Sequence, residues 1–213
     1  MPALDHQFPI RKFIIPPLPA GASGTELEGG FRPVTAAHVH LMDGGKISAE
    51  GLECTAIHPD DRFMIKSGLT ENDRSLVLLC AFRGWKVLLT GDARQDALHR
   101  LAAEHGDRLR ADILVLPHHG IWADGLRELA EAVRPTAAVA SCRGPLDERT
   151  QQMLDELGIP VWKTAQEGAI ILELAEDDLV LSGFASGRRL RLCRAAAVVS
   201  NGRPTARSTG AER

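Results

Sequence analysis

The sequence has little that would mark a membrane protein, a secreted domain or a stacking surface for single-stranded nucleic acid. No apolar run approaches the roughly 20 residues that cross a bilayer, and the opening segment lacks the basic start, apolar stretch and cleavage site of a signal peptide. There is no tyrosine, and six phenylalanines and three tryptophans are too few to predict a row of exposed rings. These absences predict a cytoplasmic chain without a transmembrane segment.

Closely spaced cysteines and an excess of basic charge are also lacking. Cys54, Cys80, Cys142 and Cys193 form no C-x-x-C pair and no dense framework, so we expect buried thiols rather than a disulfide scaffold or a cysteine zinc site. The formal net charge is −3, which gives the chain no overall basic field to attract nucleic acid or an anionic membrane. Any contact with a polyanion must therefore be local.

Apolar periodicity predicts strands that alternate with helices. Strand patterns at 75–82 and 85–90 flank Arg83-Gly84, which is typical of a tight hairpin. Beyond residue 92, helical spacing alternates with short apolar runs, and Asp124 and Asp147 precede two of the helices as predicted N-caps. This alternation predicts one α/β layered domain, in which sheet and helices share a core.

The end of the sequence differs in charge from the rest. Residues 186–213 contain seven arginines and one glutamate and so have a charge of +6, whereas residues 1–185 have a charge of −9. Such a block is typical of a disordered, solvated tail, and contact with nucleic acid or anionic lipid is the alternative. We therefore predict a folded domain over 1–185 and a basic tail over 186–213.

Two predicted strands end in side chains that can bind a metal ion. Asp92 directly follows one strand, and His118 and His119 follow another. Strand ends are where sites form in layered α/β folds, and carboxylate oxygen with imidazole nitrogen suits Zn²⁺ or Mn²⁺. Asp92 could bridge two such ions about 3.5–4 Å apart, which would share a hydroxide nucleophile. The alternative is that Asp92 caps the following helix and the histidines occupy a turn.

Five segments of the sequence follow one another in a recognisable order. They are Asn72–Leu79, Leu88–Asp92, Ala111–Gly120, Val133-Arg134-Pro135 and Trp162–Ile170. This ordered series resembles the metallo-β-lactamase domain of ComEC/Rec2 competence proteins. The resemblance extends from Ile47 to Leu174, and its specificity comes from the order and gaps of the segments, since Leu-Thr-Gly-Asp or His-His-Gly alone would be weak.

The resemblance implies a fold, a cofactor and an activity. The implied fold is an αβ/βα sandwich of mixed sheets flanked by helices, of which this chain would contain the distal part. The implied activity is hydrolysis of phosphodiesters, DNA among them, at a dinuclear Zn²⁺ or Mn²⁺ centre, in membrane-associated proteins of DNA uptake. Asp92 matches the bridging aspartate. His118 and His119 match the late histidines, one a metal ligand and the other a contact to substrate phosphate, and both assignments remain open.

The main metal motif of that family has no match here. The motif, H-x-H/D-x-D-H on a loop after an early strand, supplies most ligands, and we expect the chain to begin just after it as an N-terminally incomplete copy. His38-Val39-His40 is an imperfect substitute because Asp43 lies one position too late, so we expect exposed strand residues there. His58 matches a common loop of the family and is predicted to be structural.

The missing motif leaves two hypotheses about function. The first is a ComEC/Rec2-like hydrolase that is impaired unless a second copy or a complementary chain completes the site. Residues 121–124 and 142–146 lack polar groups that the family uses near phosphate, which strengthens the expected impairment. The second is a non-catalytic binding or assembly protein, or the remnant of a truncated gene. The retained Asp92, His118 and His119 favour the first hypothesis.

Overall fold

A computed structural model of the chain describes residues 12–15, 37–175 and 177–193. The strands are β1 (Lys12–Ile15), β2 (Ala37–His40), β3 (Lys46–Ala49), β4 (Leu52–His58), β5 (Val77–Phe82), β6 (Trp85–Leu89), β7 (Ile113–Val115), β8 (Ala137–Ala140), β9 (Val161–Lys163), β10 (Ile170–Ala175), β11 (Asp178–Gly183) and β12 (Arg189–Leu192). The α-helices are α1 (Asp61–Met64), α2 (Gln95–His105), α3 (Leu126–Val133), α4 (Glu148–Glu156) and α5 (Thr164–Glu167). Short 3-10 turns lie at Asn72–Arg74, Gly106–Leu109 and Pro117–Gly120.

The largest element is a seven-stranded mixed sheet in which β3 to β9 lie side by side in chain order. The strands from β3 to β6 pair antiparallel, and those from β6 to β9 pair parallel. Parallel neighbours need crossover connections, and α2, α3 and α4 provide them. The strands β1 and β2 form a separate parallel pair.

The helices cover one face of this sheet. Leu88 of β6 and Leu114 of β7 are completely buried beneath them, and each such leucine contributes about 2 kcal/mol relative to an exposed one. The helical side chains in this core follow the three- and four-residue spacing predicted from the sequence. They include Leu98 and Leu101 of α2, Leu126 and Leu129 of α3, and Met153 and Leu154 of α4.

A three-stranded antiparallel sheet, ordered β10-β11-β12, covers the opposite face. Successive side chains of a strand point to opposite faces, so Leu114 joins the helix-side core while Ile113 joins a second core. Trp162 and Leu181 are fully buried in this second core. The described residues therefore form three layers: helices, the seven-stranded sheet and the three-stranded sheet.

This architecture confirms the predicted α/β class, with mixed sheets and flanking helices. The predicted hairpin is also confirmed, because Arg83 and Gly84 join β5 to β6 with φ values of 46° and 83°. Positive φ at both central residues matches the twist of the flanking strands.

One predicted helix cap is confirmed and the other is wrong. The Asp147 carboxylate accepts hydrogen bonds from the backbone N–H groups of Arg149 and Thr150 at the start of α4. Asp124 is not the N-cap of α3, because Gly125 takes that position at a φ of 90°. A Cβ atom at residue 125 would lie 3.0 Å from the backbone nitrogen of His99 on α2. The close packing of α2 against the start of α3 therefore favours glycine at the N-cap position.

The predicted boundary between domain and tail is wrong. The described chain continues beyond residue 185 as β12, which pairs with β11. Leu190 and Leu192 alternate with Arg189 and Arg191, so the leucines pack on the second core while the arginines face solvent. The high arginine content obscured this strand pattern. Residues 194–213 of the predicted tail lie outside the described residues.

The prediction of four buried thiols is also wrong. Cys54 on β4 lies directly opposite Cys80 on β5, with Cα atoms 4.0 Å apart, and the two form a disulfide. Cys142 and Cys193 are free, and Cys193 is exposed. Strand register creates the pair, and the sequence separation of 26 residues contains no signal for it.

His58 at the end of β4 is structural, as predicted. Its side chain is buried, and its Nε2–H donates to the carbonyl oxygen of Asp73 at 2.7 Å. The ring packs edge-on against Phe63 with 4.5 Å between ring centroids. Burial lowers the pKa of His58 to about 4, because an imidazolium there would lose its hydration.

The disulfide determines how many thiols react. In the denatured but unreduced chain, purified in air, we expect a thiol-specific dye to detect two thiols, and four after reduction. Cys142→Ser should lower both counts by one, which serves as the internal control. Four reactive thiols before reduction would contradict the pairing of Cys54 with Cys80.

The low pKa of His58 makes stability depend on pH. Below pH 6.5 the unfolded chain binds a proton at residue 58 that the folded chain does not bind until about pH 4. The free energy of unfolding should therefore fall by about 2 kcal/mol between pH 7 and pH 5 through this group. Urea unfolding at the two pH values measures the change.

The variant His58→Gln separates this effect from that of other groups. Its free energy of unfolding should be lower at pH 7 but should change less between pH 7 and pH 5 than that of the unmodified chain. His99→Gln, which alters an exposed histidine on α2, should retain the full change. Equal pH dependence in all three proteins would show that His58 is not responsible.

Candidate functional site

Three loops meet at one edge of the seven-stranded sheet. They follow β6, β7 and β8, and they contain Asp92, the histidine pair and Ser141. Because these strands are parallel neighbours, their carboxyl ends share one edge of the sheet. The sheet thus brings together residues that are far apart in sequence.

Hydrogen bonds connect the loop of Asp92 to its neighbours. The buried Thr90 hydroxyl donates to the carbonyl oxygen of Val115 at 2.7 Å, and His118 N–H donates to the carbonyl oxygen of Gly91 at 3.0 Å. The backbone N–H of Asp92 donates to the Ser75 hydroxyl at 3.2 Å. The loop position is therefore determined from both sides, by β7 and by the segment before β5.

The histidine pair occupies a left-handed turn. His118 has φ 46° and ψ 47°, and His119 has φ 61° and ψ 14°. Left-handed backbone costs a non-glycine residue on the order of 1–3 kcal/mol, and such residues are concentrated at functional sites. Gly120 continues the turn at φ 83°, where an added Cβ would lie 2.3 Å from Cδ1 of Leu146. The turn is thus packed tightly against the loop before α4.

The turn directs both imidazole rings towards Asp92. The distance from Asp92 Oδ1 is 3.7 Å to His119 Nε2 and 3.9 Å to His118 Nδ1. These distances are too long for hydrogen bonds. The Asp92 and His119 side chains are about half exposed, at 45% and 57%, whereas His118 is 23% exposed. The three groups thus face one another without direct bonding, at a surface that a ligand can reach.

His119 is arranged as a metal ligand would be. Its Nδ1 lies 2.9 Å from the carbonyl oxygen of Ser141, and a carbonyl oxygen only accepts, so Nδ1 carries the proton. In the neutral ring Nε2 is then unprotonated, and its lone pair is available on the side of Asp92. A second hydrogen bond of this kind typically orients histidine ligands in metal sites.

His118 has the opposite arrangement. Its Nδ1 lies 3.4 Å from the side-chain nitrogen of Asn72, which only donates, so Nδ1 is the acceptor. In the neutral ring Nε2 then carries the proton and can donate a hydrogen bond. The structure therefore distinguishes two histidines that the sequence left equivalent.

The structure brings together all three residues that the sequence singled out. The alternative role of Asp92 as a helix cap is wrong, because α2 has Arg94 at its N-cap position. Sequence reasoning gave no site role to Asn72, Ser75 or Ser141. Asn72 and Ser75 lie in a segment that matched the competence proteins, which was the available signal for them. Ser141 contributes a backbone oxygen, which leaves no signal in residue type.

The residues present do not complete a metal centre. Across 12–15, 37–175 and 177–193, no group of three or more His, Cys, Asp or Glu side chains is placed to hold a metal ion. Asp92 and His119 offer one carboxylate and one imidazole nitrogen, whereas a stable zinc site needs at least three protein ligands. His40 at the end of β2 is exposed, and the side chain of His38 lies outside the described set.

The chain is similar in sequence to a competence protein. No family model matches the chain. The competence protein ComA of Neisseria gonorrhoeae is 26% identical to it over 185 residues, which cover 78% of this chain. The resemblance to ComEC/Rec2 competence proteins is confirmed. The alignment covers 25% of ComA, so the chain spans about a quarter of the length of that relative.

Solved structures with partial similarity come from several kinds of protein. The diiron β-hydroxylase CmlA of Streptomyces venezuelae shares 15% identity over 70% of this chain and 38% of its own, with a TM-score of 0.45. The metallo-β-lactamase fold protein YhfI of Bacillus subtilis shares 11% identity over 62% of this chain and 55% of its own, with a TM-score of 0.40. Within the described part of this chain, the helices are too short or too polar to cross a bilayer.

The two histidines should differ in tautomer. In long-range ¹H–¹⁵N spectra at pH 8 we expect His119 to carry its proton on Nδ1, because Ser141 accepts it there, and His118 to carry its proton on Nε2. The variants His118→Gln and His119→Gln assign the signals, and exposed His99 is the reference. A His119 signal with the proton mainly on Nε2 would contradict the hydrogen bond from Nδ1–H to Ser141.

Proposed function

We propose that the chain contains one side of a metal-dependent phosphodiester hydrolase site of the ComEC/Rec2 type, with DNA as a substrate and a role linked to DNA uptake. The observation that supports this most directly is the arrangement of His119. Ser141 holds its Nδ1–H, and its unprotonated Nε2 lies 3.7 Å from Asp92 Oδ1. A histidine with a purely structural role needs neither an open nitrogen nor a carboxylate facing it.

The three residues take separate roles in this proposal. Asp92 and His119 present an oxygen and a nitrogen of the kinds that bind Zn²⁺ or Mn²⁺. His118 donates a hydrogen bond from Nε2–H to a phosphoryl oxygen of the substrate. Two protein ligands bind such ions weakly, so hydrolysis by the described residues alone should be impaired until a second copy or a complementary chain adds ligands.

A second candidate is the non-catalytic binding or assembly protein. An apolar groove of about 490 Å³ lies between the two sheets, where Leu52, Phe82 and Trp85 face Leu172 and Leu174. Leu52 and Leu172 are 40% and 38% exposed. An apolar surface of this kind is typical of a contact with a second copy or another chain.

The disulfide bears on the compartment in which the domain lies. The sequence predicted a cytoplasmic chain. The disulfide between Cys54 and Cys80 instead favours an oxidising compartment, because cytoplasmic proteins rarely keep such bonds. We therefore propose that at least this domain lies outside the reducing cytoplasm.

Metal content and hydrolysis test the proposed site together. After dialysis we expect less than one Zn²⁺ or Mn²⁺ per chain by plasma mass spectrometry. Added Mn²⁺ or Zn²⁺ should give slow, chelator-sensitive hydrolysis of bis(4-nitrophenyl) phosphate. Asp92→Asn and His119→Gln should each lower that rate at least about tenfold, because each removes one of two ligands. His99→Gln, an exposed histidine elsewhere, should keep the rate of the unmodified chain.

Two results would contradict the proposed hydrolase function. One is the absence of turnover at any concentration of either metal, and the other is turnover that Asp92→Asn and His119→Gln leave unchanged. If turnover is absent and light scattering shows a stable dimer, the assembly protein is the better description. If the dimer is active and loses activity on dilution, a second copy completes the site.

A further inference from the structure

An arginine stacks on a tryptophan beside the histidine turn. The guanidinium carbon of Arg149 lies 4.4 Å from the centroid of the Trp122 ring. Arg149 is in the first turn of α4, and Trp122 is three residues beyond His119. The Arg149 side chain has no role in the site described above.

The charge of Arg149 is not neutralised. Two other arginines that stack on rings also form ion pairs: Arg100 with Asp60 at 2.6 Å, and Arg188 with Glu167 at 3.1 Å. Within residues 12–15, 37–175 and 177–193, no carboxylate lies within ion-pair distance of the exposed Arg149 guanidinium. Arg149 thus has a cationic group available for a ligand.

The stacked pair belongs to the same edge of the sheet as the candidate site. The loop that leads to Arg149 packs on the histidine turn, since Leu146 lies directly over Gly120. The same loop begins at Ser141, whose carbonyl oxygen accepts the hydrogen bond from His119 Nδ1–H. The loop therefore contacts the histidine turn at two points before it reaches Arg149.

Trp122 restricts the orientation of the Arg149 side chain. The indole packs against the helix-side core, and its N–H donates to the Asp124 carboxylate at 3.4 Å. A guanidinium stacked on a ring keeps its N–H donors free along the edge of the plane. Those donors match the paired oxygens of a phosphate group. Trp122 therefore orients Arg149 for an anion with phosphate geometry.

We propose that Arg149, positioned by Trp122, binds a backbone phosphate of an oligonucleotide at the site of Asp92 and His119. The proposal rests on the proposed function for the identity of the substrate. It assigns a phosphate contact to the segments that directly follow the histidine turn and precede α4. It also makes the contact local, as the net charge of −3 requires.

The indole N–H signal of Trp122 provides a direct test in the full chain. Each of the three tryptophans gives one such signal, and Trp122→Phe identifies it. With EDTA present, tetrathymidylate should shift this signal, and inorganic phosphate should do so only at about tenfold higher concentration. Arg149→Gln should abolish the shift and weaken binding of the oligonucleotide about tenfold. It should also lower the slope of log affinity against log salt by about 0.7.

The chain offers a matched control. Arg83 also stacks on a ring, with 5.6 Å to the Phe82 centroid, but it lies in the β5–β6 hairpin at the opposite end of β6 from Asp92. Arg83→Gln should leave the Trp122 shift and the affinity unchanged. Arg149→Lys retains charge without the planar group and should bind less tightly than the unmodified chain.

Either of two results would overturn the proposal. The first is that tetrathymidylate does not shift the indole N–H signal of Trp122. The second is that Arg149→Gln and Arg83→Gln change the affinity for the oligonucleotide equally. EDTA removes divalent ions, so the outcome does not depend on hydrolysis. If the unmodified chain does not hydrolyse the phosphodiester but binds the oligonucleotide through Arg149, the proposed function alone is refuted. Hydrolysis without Arg149-dependent binding would refute this phosphate site alone.

Discussion

The parallel register of β6, β7 and β8 is the constraint on which the candidate site depends. It places the loops after these strands at one edge, and the hydrogen bond from His118 N–H to Gly91 holds two of them together. The strained turn at His118 and His119 persists because Gly120 is wedged against Leu146. A shift of this register would separate the Asp92 carboxylate from the two imidazoles. It would also remove the contacts that hold the strained turn in its left-handed conformation.

Much of this arrangement could be predicted because it is local in sequence. The spacing of apolar residues predicted the helices and the strands that pack on them, and Arg83-Gly84 predicted the hairpin. Asp92 and the pair His118-His119 could be found because each directly follows an apolar run. Ordered matches to the competence proteins then indicated that these groups belong to one site.

The remaining features depend on contacts between distant segments, for which one sequence contains no local signal. The cap at Gly125 depends on how closely α2 approaches α3. The disulfide depends on the pairing of β4 with β5, and the role of Ser141 depends on a backbone oxygen. In β12 the two-residue alternation of leucine and arginine is local, but its high arginine content is equally typical of a solvated tail.

The disulfide has a consequence for proteolysis and for mechanical extension. Cys54 and Cys80 close a covalent loop that contains Asn72 and Ser75, the residues that contact His118 and the Asp92 loop. A protease that cuts once inside this loop leaves both fragments linked, and the cut is visible on a gel only after reduction. A pulling force on the chain ends likewise cannot extend the enclosed segment, which conceals about 90 Å of contour length until the bond is reduced.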